Sequence, residues 1–500
     1  MNTTILTAAA VLALLQPAFA QRTATLPKTA AVQKAAASKP AADEKRLIGA
    51  VTADSMRGDV SFLASDLLEG RDTPSRGLEI AAEYLASQFR AMGLKPAAGN
   101  DYFQAADFVL AQPSAAGLTL TLESASEKFE VNTDRVMFTS DRASEGSALD
   151  VVAIDMAGEP PARAAVEGKV VLIKPAGRIS PARRDELRAM GAALVISFTP
   201  FLSRRAQLRE SGEGPGALSP SVAIQDAELQ QKLGAAGPLK ASFKIPAQTA
   251  EKLKLKNVVA VLEGSDPSLK KSYVLLSGHY DHNGVNPRGD GDRINNGAND
   301  DASGTSTVLE IARAFQRTGL KPKRSIIFAL WFGEEKGLFG SRYYASHPIF
   351  PLKDTVAMIN FEHMGRTDDN EGSTKGRMSL TGFDYTDIGE TLAGAGKVAG
   401  IGVYKHEKNS DQFFAASDNQ PFAEAGVPAH AALSCFIFPD YHRPGDEWQK
   451  IDYDNMAQLT RVAAVTAWRI ANNPKPPAWN QSNAKTASYV KAAQALQGVK

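Results

Sequence analysis

Near-continuous apolar runs alternate with helical spacing through the second half of this chain. Tyr273 to Ser277, Ser325 to Phe332 and Thr355 to Phe361 are apolar at almost every position, as strands covered on both faces are. Between the first two, Val308, Ile311, Ala312 and Phe315 recur by threes and fours, which predicts a helix over Thr305 to Arg317 with one buried face. A second helix is expected from about Asp454 to Ala471, where Met456, Leu459, Ala463, Ala467 and Ile470 keep that spacing. Strands alternating with helices predict an α/β fold with a doubly wound sheet, whose site lies outside the carboxyl ends of its strands.

The first half has two other textures. From Ala50 to Leu94 helical spacing dominates, as in Ile80, Ala81, Tyr84, Leu85 and Phe89, until Gly93 and Pro96 break it. From about Gly117 to Ala247 come short β-rich runs separated by Gly, Pro and Ser: Leu118 to Leu122, Val151 to Ile154 and Val170 to Ile173. A helix over Arg183 to Met190 and a strand over Ala193 to Ile196 follow. That stretch contains no histidine, which marks it as an insert of a non-catalytic kind.

The remaining features bound the partners. With 56 Lys+Arg against 55 Asp+Glu, the chain offers no electrostatic case for nucleic acid or an acidic membrane surface. Ile5 to Leu15 is an apolar run too short to span a bilayer. Ala18-Phe19-Ala20 supplies a cleavage pattern behind it, so residues 1–20 are expected to be a signal peptide. Only the terminal amine is charged before that run. Residues 21–44, poor in periodicity, are expected to be a disordered linker, and the protein to be exported to a periplasm or the outside with no membrane span left after cleavage. Cys435, the only cysteine, sits in an apolar run and excludes an internal disulfide. The tail after Pro477 reads as a frayed helix or as disorder.

Five metal-grade side chains follow strand-like runs or lie in loops: His279, Asp300, Glu335, Glu362 and His442. In Gly278-His279-Tyr280-Asp281 a spacing of two keeps His279 and Asp281 on one side of an extended chain, where a carboxylate can fix a ligating imidazole. A histidine at a strand end is, by itself, more often merely hydrogen-bonded. In Asn299-Asp300-Asp301-Ala302-Ser303-Gly304 two acids at a helix start would ordinarily just complement its dipole, but the small residues around them admit a compact site. Asp300 can offer one oxygen to each of two cations. In Gly333-Glu334-Glu335 neighbouring side chains diverge, so Glu335 can ligate while Glu334 acts as general base. Two divalent cations bring four positive charges against three carboxylates, leaving one for a hydroxide.

The ordered set Gly-His-x-Asp, Asn-Asp-Asp-Ala-Ser-Gly, Gly-Glu-Glu, Asn-Phe-Glu and Tyr-His-x-Pro resembles the zinc aminopeptidases with co-catalytic metals. Their superfamily also holds glutamate carboxypeptidase II, glutaminyl cyclases and the transferrin receptor. The resemblance extends over residues 50–473, including Phe62 to Arg71 and Ser417 to Phe422. Glu167 to Ile173 and Gly191 to Ile196 resemble a protease-associated domain.

This implies a zinc exopeptidase fold, a doubly wound mixed β-sheet flanked by helices. Its expected segments are 45–116 and 250–475, around a protease-associated insert over 117–249 and before a tail over 476–500. It also implies two Zn2+ ions bridged by Asp300, with His279 and Glu362 on one and Glu335 and His442 on the other. Glu334 would be the base and Asp281 the support of His279, and the Asp300–Asp301 peptide bond would be cis. Glu362 departs from the aspartate that many such aminopeptidases carry. His363 and His282 read as supporting or structural residues, and His347, His406 and His430 as structural.

The implied reaction is hydrolysis of the peptide bond next to a free N-terminus, with Tyr441 as a possible hydrogen-bond donor and apolar side chains near Phe436 and Phe438 lining a pocket. The rival readings are a glutamate-carboxypeptidase-like metallopeptidase, which needs basic residues in the pocket, a glutaminyl cyclase, and a receptor-like binding protein.

Overall fold

In the computed structural model, alternate side chains of the strand Ser325–Trp331 enter two different cores. Ile326, Phe328 and Leu330 pack on one face of the sheet, while Ile327, Ala329 and Trp331 pack on the other. The structure describes residues 41–498 except 112–114, 141–142, 156–160, 175–185, 203–206, 212–218, 248–249 and 289. The expected signal peptide, the expected linker up to residue 40 and the first residues of the Arg183 to Met190 helix lie outside them. Glu186 to Ala189 is helical.

The larger sheet is mixed. Its parallel centre runs Ala429–Leu433, Thr355–Glu362, Tyr273–His279 and Ser325–Trp331, in that spatial order. The strand Ala250–Leu262 adds to Ser325–Trp331 antiparallel, and Phe103–Ala111 adds to it in turn. On the far side Arg377–Leu380 and Gly402–Tyr404 complete the edge. From Tyr273–His279 the chain winds one way to Ser325–Trp331 and then the other way to Thr355–Glu362. The crevice this reversal opens lies between the ends of Tyr273–His279 and Thr355–Glu362, where α/β sheets bind ligands.

Helices Ser303–Thr318 and Tyr453–Asn472 cover one face, with their apolar stripes in the larger core. Both lie within two residues of their predicted ends, because their periodicity is long and unbroken. The predicted helical stretch after Ala50 becomes Ala53–Leu63 and Arg76–Ala91. Ala81, Leu85 and Phe89 are buried there, but Ile80 turns outward at 37% exposure. The tail is ordered: Trp479 donates to the Gly426 carbonyl at 2.9 Å and stacks on Tyr489 of the helix Ala487–Leu496.

Eight strands between Thr119 and Ile245 form a second sheet with apolar clusters of its own. Val170 and Leu172 enter one cluster, and Val171 and Ile173 the other. The chain leaves the larger sheet at Ala111 and re-enters at Ala250, and these two residues pair directly. From the intervening stretch, Gln207–Glu210 pairs with Phe103–Ala111 of the larger sheet. No helix among the described residues is long and apolar enough to cross a membrane.

Candidate metal centre

His279 and Glu362 are the last residues of adjacent parallel strands, so their side chains meet at the crevice. Asp300 comes from the turn Ala298–Ala302, Glu334 and Glu335 from the turn after Ser325–Trp331, and His442 from the loop before the last long helix. The structure brings all five expected ligands together around Asp300. Its Oδ1 lies 3.3 Å from His279 Nε2, which is 3.5 Å from Glu362 Oε2. Its Oδ2 lies 3.1 Å from His442 Nε2, which is 3.3 Å from Glu335 Oε2. Tetrahedral zinc with bonds of about 2.0–2.1 Å separates its ligand atoms by about 3.3 Å. Asp300 Oδ2 and Glu335 Oε1 are moreover buried without a hydrogen-bond partner. The donor set therefore fits two zinc ions sharing Asp300.

Charge is unevenly spread among these acids. Burial pushes Asp300 up, but His282, His279, His363 and His442 overcome it and hold its carboxyl well below the usual range. Glu335 is raised by burial and by Asp300, yet the His282 and His442 rings bring it down to about 2. Glu334 goes the other way. Burial, offset only in part by His279 and reinforced by Asp418, Glu362 and Glu335, raises it well above an ordinary glutamate. Its Oε2 lies 3.9 Å from His279 Nε2, at the rim of the ligand set.

Backbone contacts explain the motifs around these donors. Asn299 Oδ1 accepts the N–H groups of Gly365 and Arg366, both at 2.8 Å, tying the Asp300 turn to the chain just past Glu362. Asp301 accepts from the His279 and Gly304 N–H groups, so its oxygens are engaged. Gly304 has no room for a side chain: a Cβ would stand 2.1 Å from the Phe361 carbonyl oxygen. The expected cis bond between Asp300 and Asp301 is present.

Asp281 lies behind His279: its main-chain carbonyl oxygen is 3.2 Å from the ring Nδ1, and its carboxylate Oδ1 stands 3.5 Å from the same nitrogen. Glu362 directs only Oε2 at the centre, because Oε1 accepts from the Asn360 amide at 2.7 Å and the Ser417 hydroxyl at 2.5 Å.

Sequence reasoning missed two supports. Asp446, fully buried, accepts from the Asn299 and Asp300 N–H groups and so fixes the Asp300 turn. Arg71, also fully buried, donates to the carbonyls of Leu63, Tyr280, Asn296 and Gly297, bridging the loops that follow His279 and precede Asp300. Neither gives a local signal, since each acts on chain far away in sequence.

The other histidines divide. His282 and His363 lie at the centre, with Nδ1 of His282 2.8 Å from Glu335 Oε1 and Nε2 of His363 3.8 Å from Asp300 Oδ1. The His363 Nδ1 lies 3.3 Å from the Cys435 carbonyl oxygen. His347, His406 and His430 lie elsewhere, bonded to Ser346, Glu371 and Thr386 respectively. Cys435 is sealed beneath the centre, and burial pushes its thiol well up, which suits packing and not nucleophilic attack.

A cavity of about 150 Å³ opens onto the centre. Phe413, Ala431, Leu433, Phe436 and Ile437 line it beside the acids and imidazoles, and among the described residues no lysine or arginine does. Phe438, expected there, packs instead edge-on against His363 and Tyr441. Tyr441 reaches the cavity and stacks on His442 at 3.8 Å.

A parallel-sheet reversal bearing two imidazoles and three acids is the arrangement of the zinc exopeptidase fold. Residues 257–467, which carry every one of these donors, match Peptidase family M28. The chain is 30% identical over 263 residues to a probable zinc metalloprotease of Pyrenophora tritici-repentis (strain Pt-1C-BFP), covering 44% of this chain and 58% of that protein. It is 32% identical over 186 residues to a probable leucine aminopeptidase 2 of Aspergillus oryzae (strain ATCC 42149 / RIB 40), covering 36% of this chain and 34% of that one. The chain spans about half the length of most of the curated relatives it matches, 34% of the Aspergillus one and 80% of one other. Its fold is shared with an aminopeptidase from Aneurinibacillus sp. strain AM-1, at a TM-score of 0.54 and 20% identity over 87% of this chain and 97% of that one.

Proposed function

We propose that this chain is an exported zinc aminopeptidase that hydrolyses the peptide bond next to a free N-terminus. The observation that carries the reading is the division of Asp300. One oxygen faces His279 and Glu362, and the other faces His442 and Glu335. In this reading the five residues hold the metals, Asp281 orients His279, and Glu334 handles the proton. Bound there, two zinc ions supply an acidified water and polarise the scissile carbonyl.

Glu334 is the carboxylate at the rim that the ligand set leaves over, 3.9 Å from His279 Nε2, a place that suits a group taking a proton from water and returning it to the leaving amine. The Tyr441 hydroxyl, at the cavity wall, is the donor for the oxyanion. The apolar cavity receives the side chain of the first residue and favours neutral, apolar ones. That no lysine or arginine lines the cavity among the described residues speaks against recognition of an acidic C-terminal residue, and the name of the Aspergillus relative supports the aminopeptidase reading. The β-rich second sheet is proposed to be a protease-associated insert that governs access of larger peptides.

Metal analysis of purified protein with a panel of aminoacyl anilides tests this. Leucyl and phenylalanyl substrates are expected to be cleaved, and acetylating their amine to abolish cleavage. Glu334→Gln should keep both zinc ions and lose about 10²–10⁴ in kcat. Full turnover by that variant would remove Glu334 from the proton-transfer role.

A further inference from the structure

We propose that His282 is an additional metal ligand, its Nδ1 joining Glu335, His442 and one oxygen of Asp300 around the same ion. The inference rests on the two-metal reading above and adds a donor to it. His282 is fully buried, and neither of its ring nitrogens has a hydrogen-bond partner. The atoms facing it, Glu335 Oε1 and Asp300 Oδ2, are buried and unpartnered as well. They lie 2.8 Å and 3.8 Å from Nδ1. The shorter contact is within hydrogen-bond length but out of line for one, so the ring nitrogen and the carboxylate face each other without a proton directed between them. A buried polar atom left this way is destabilising, having lost its water without gaining a partner. One cation among the three atoms satisfies all of them, and their separations bracket the roughly 3.3 Å edge of a zinc tetrahedron.

The ring has little freedom to find another partner. The His282 N–H donates to the Arg71 carbonyl at 3.2 Å, and the Arg71 guanidinium holds the Gly297 carbonyl at 3.0 Å. Gly297, at φ +62, lies directly against the imidazole: a Cβ there would stand 2.5 Å from the ring Cγ. The turn that presents Asp300 is thus shaped around the His282 ring.

Chemistry separates His282 from the other two imidazoles. His279 and His442 direct Nε2 at the centre, whereas His282 directs Nδ1. Nitrogen-15 NMR of the full chain, labelled at histidine and loaded with zinc, therefore reads the proposal without any mutation. The expected spectrum has one ring bound through Nδ1 and protonated at Nε2, and that signature is lost in His282→Gln. Chelator competition should then show one ion weakened by more than about 100-fold, beyond the ~10–100-fold of losing a residue that only orients a ligand. Two bound zinc ions with imidazoles ligating through Nε2 alone would overturn this inference and leave the aminopeptidase reading standing. A protein that takes up no zinc would overturn both.

Discussion

Asp281 holds Glu334 by its backbone: the Glu334 N–H donates to Asp281 Oδ1 at 3.1 Å, and the same oxygen lies 3.5 Å from His279 Nδ1. Its other oxygen accepts from the Thr73 hydroxyl at 3.1 Å. One buried carboxylate thereby lies against both the His279 ring and the backbone of Glu334, the residue proposed to handle the proton. Because the main-chain carbonyl that faces His279 Nδ1 stays in place, Asp281→Ala is expected to lower zinc affinity by less than the ~10–100-fold of losing a histidine's orienting partner, and to lower kcat even at saturating zinc. Equilibrium dialysis and assays at excess zinc separate the two effects. Recovery of full kcat once zinc saturates would show that the contact to Glu334 does not matter.

Gly297→Ala tests the packing of the Asp300 turn. Its φ of +62 is strained for alanine, and the added Cβ would stand 2.4 Å from the Asp300 carbonyl oxygen. The backbone conformation alone costs about 1–3 kcal/mol, with the clash in addition. The variant should show a lowered urea midpoint and impaired zinc uptake. Wild-type values for both would mean that the turn can relax freely.

The cavity predicts a specificity change. Ala431 is almost fully buried on the strand Ala429–Leu433 and lines the cavity wall. Ala431→Leu should favour alanyl over phenylalanyl substrates, since one methylene in an apolar pocket changes kcat/KM by ~10–200-fold. An unchanged preference would place the substrate side chain elsewhere.

His430 predicts a pH dependence of stability away from the centre. Its Nδ1 donates to the Thr381 carbonyl and its Nε2 accepts from the Thr386 hydroxyl, both at 2.7 Å. Burial, opposed only by that backbone bond, depresses it to about 4. Because the folded ring binds its proton less readily than the unfolded one, its contribution is intact above about pH 6.5 and is lost as pH falls toward 4. At full extent the loss is about 3 kcal/mol, from a shift of about 2.5 pH units at ~1.4 kcal/mol each. Urea titrations of wild type and His430→Gln should converge as pH falls through this window. Parallel curves would contradict the neutral buried ring.

The sheet centre and the positions of His279, Glu335 and Glu362 were legible because these residues end or follow strong apolar runs, and such runs align their carboxyl ends in an α/β fold. Asp300 could be singled out because its neighbours are nearly all small. His282 was not legible as a donor: two residues behind Tyr280 and beside Asp281 it reads as support, and only the left-handed turn at Gly297, 15 positions later, aims its ring. Phe436 was placed correctly in the cavity and Phe438 was not, since their common strand-like run breaks into a loop where alternation no longer sets direction. Arg71 and Asp446 act through backbone carbonyls and N–H groups of remote loops, a relationship that periodicity cannot carry.

The direct pairing of Ala111 with Ala250 has a further consequence. To the larger sheet, the excursion between these residues is closed like a hairpin loop by antiparallel neighbours, except for Gln207–Glu210, which returns to pair with Phe103–Ala111 at the edge. Apart from that edge strand, a body of that kind can be lost, exchanged or enlarged over generations without disturbing the register of the strands that carry His279 and Glu362. The chemistry and the accessory body are therefore free to evolve at different rates, because the pairing with the excursion falls on the outer strand Phe103–Ala111, with two strands between it and Tyr273–His279.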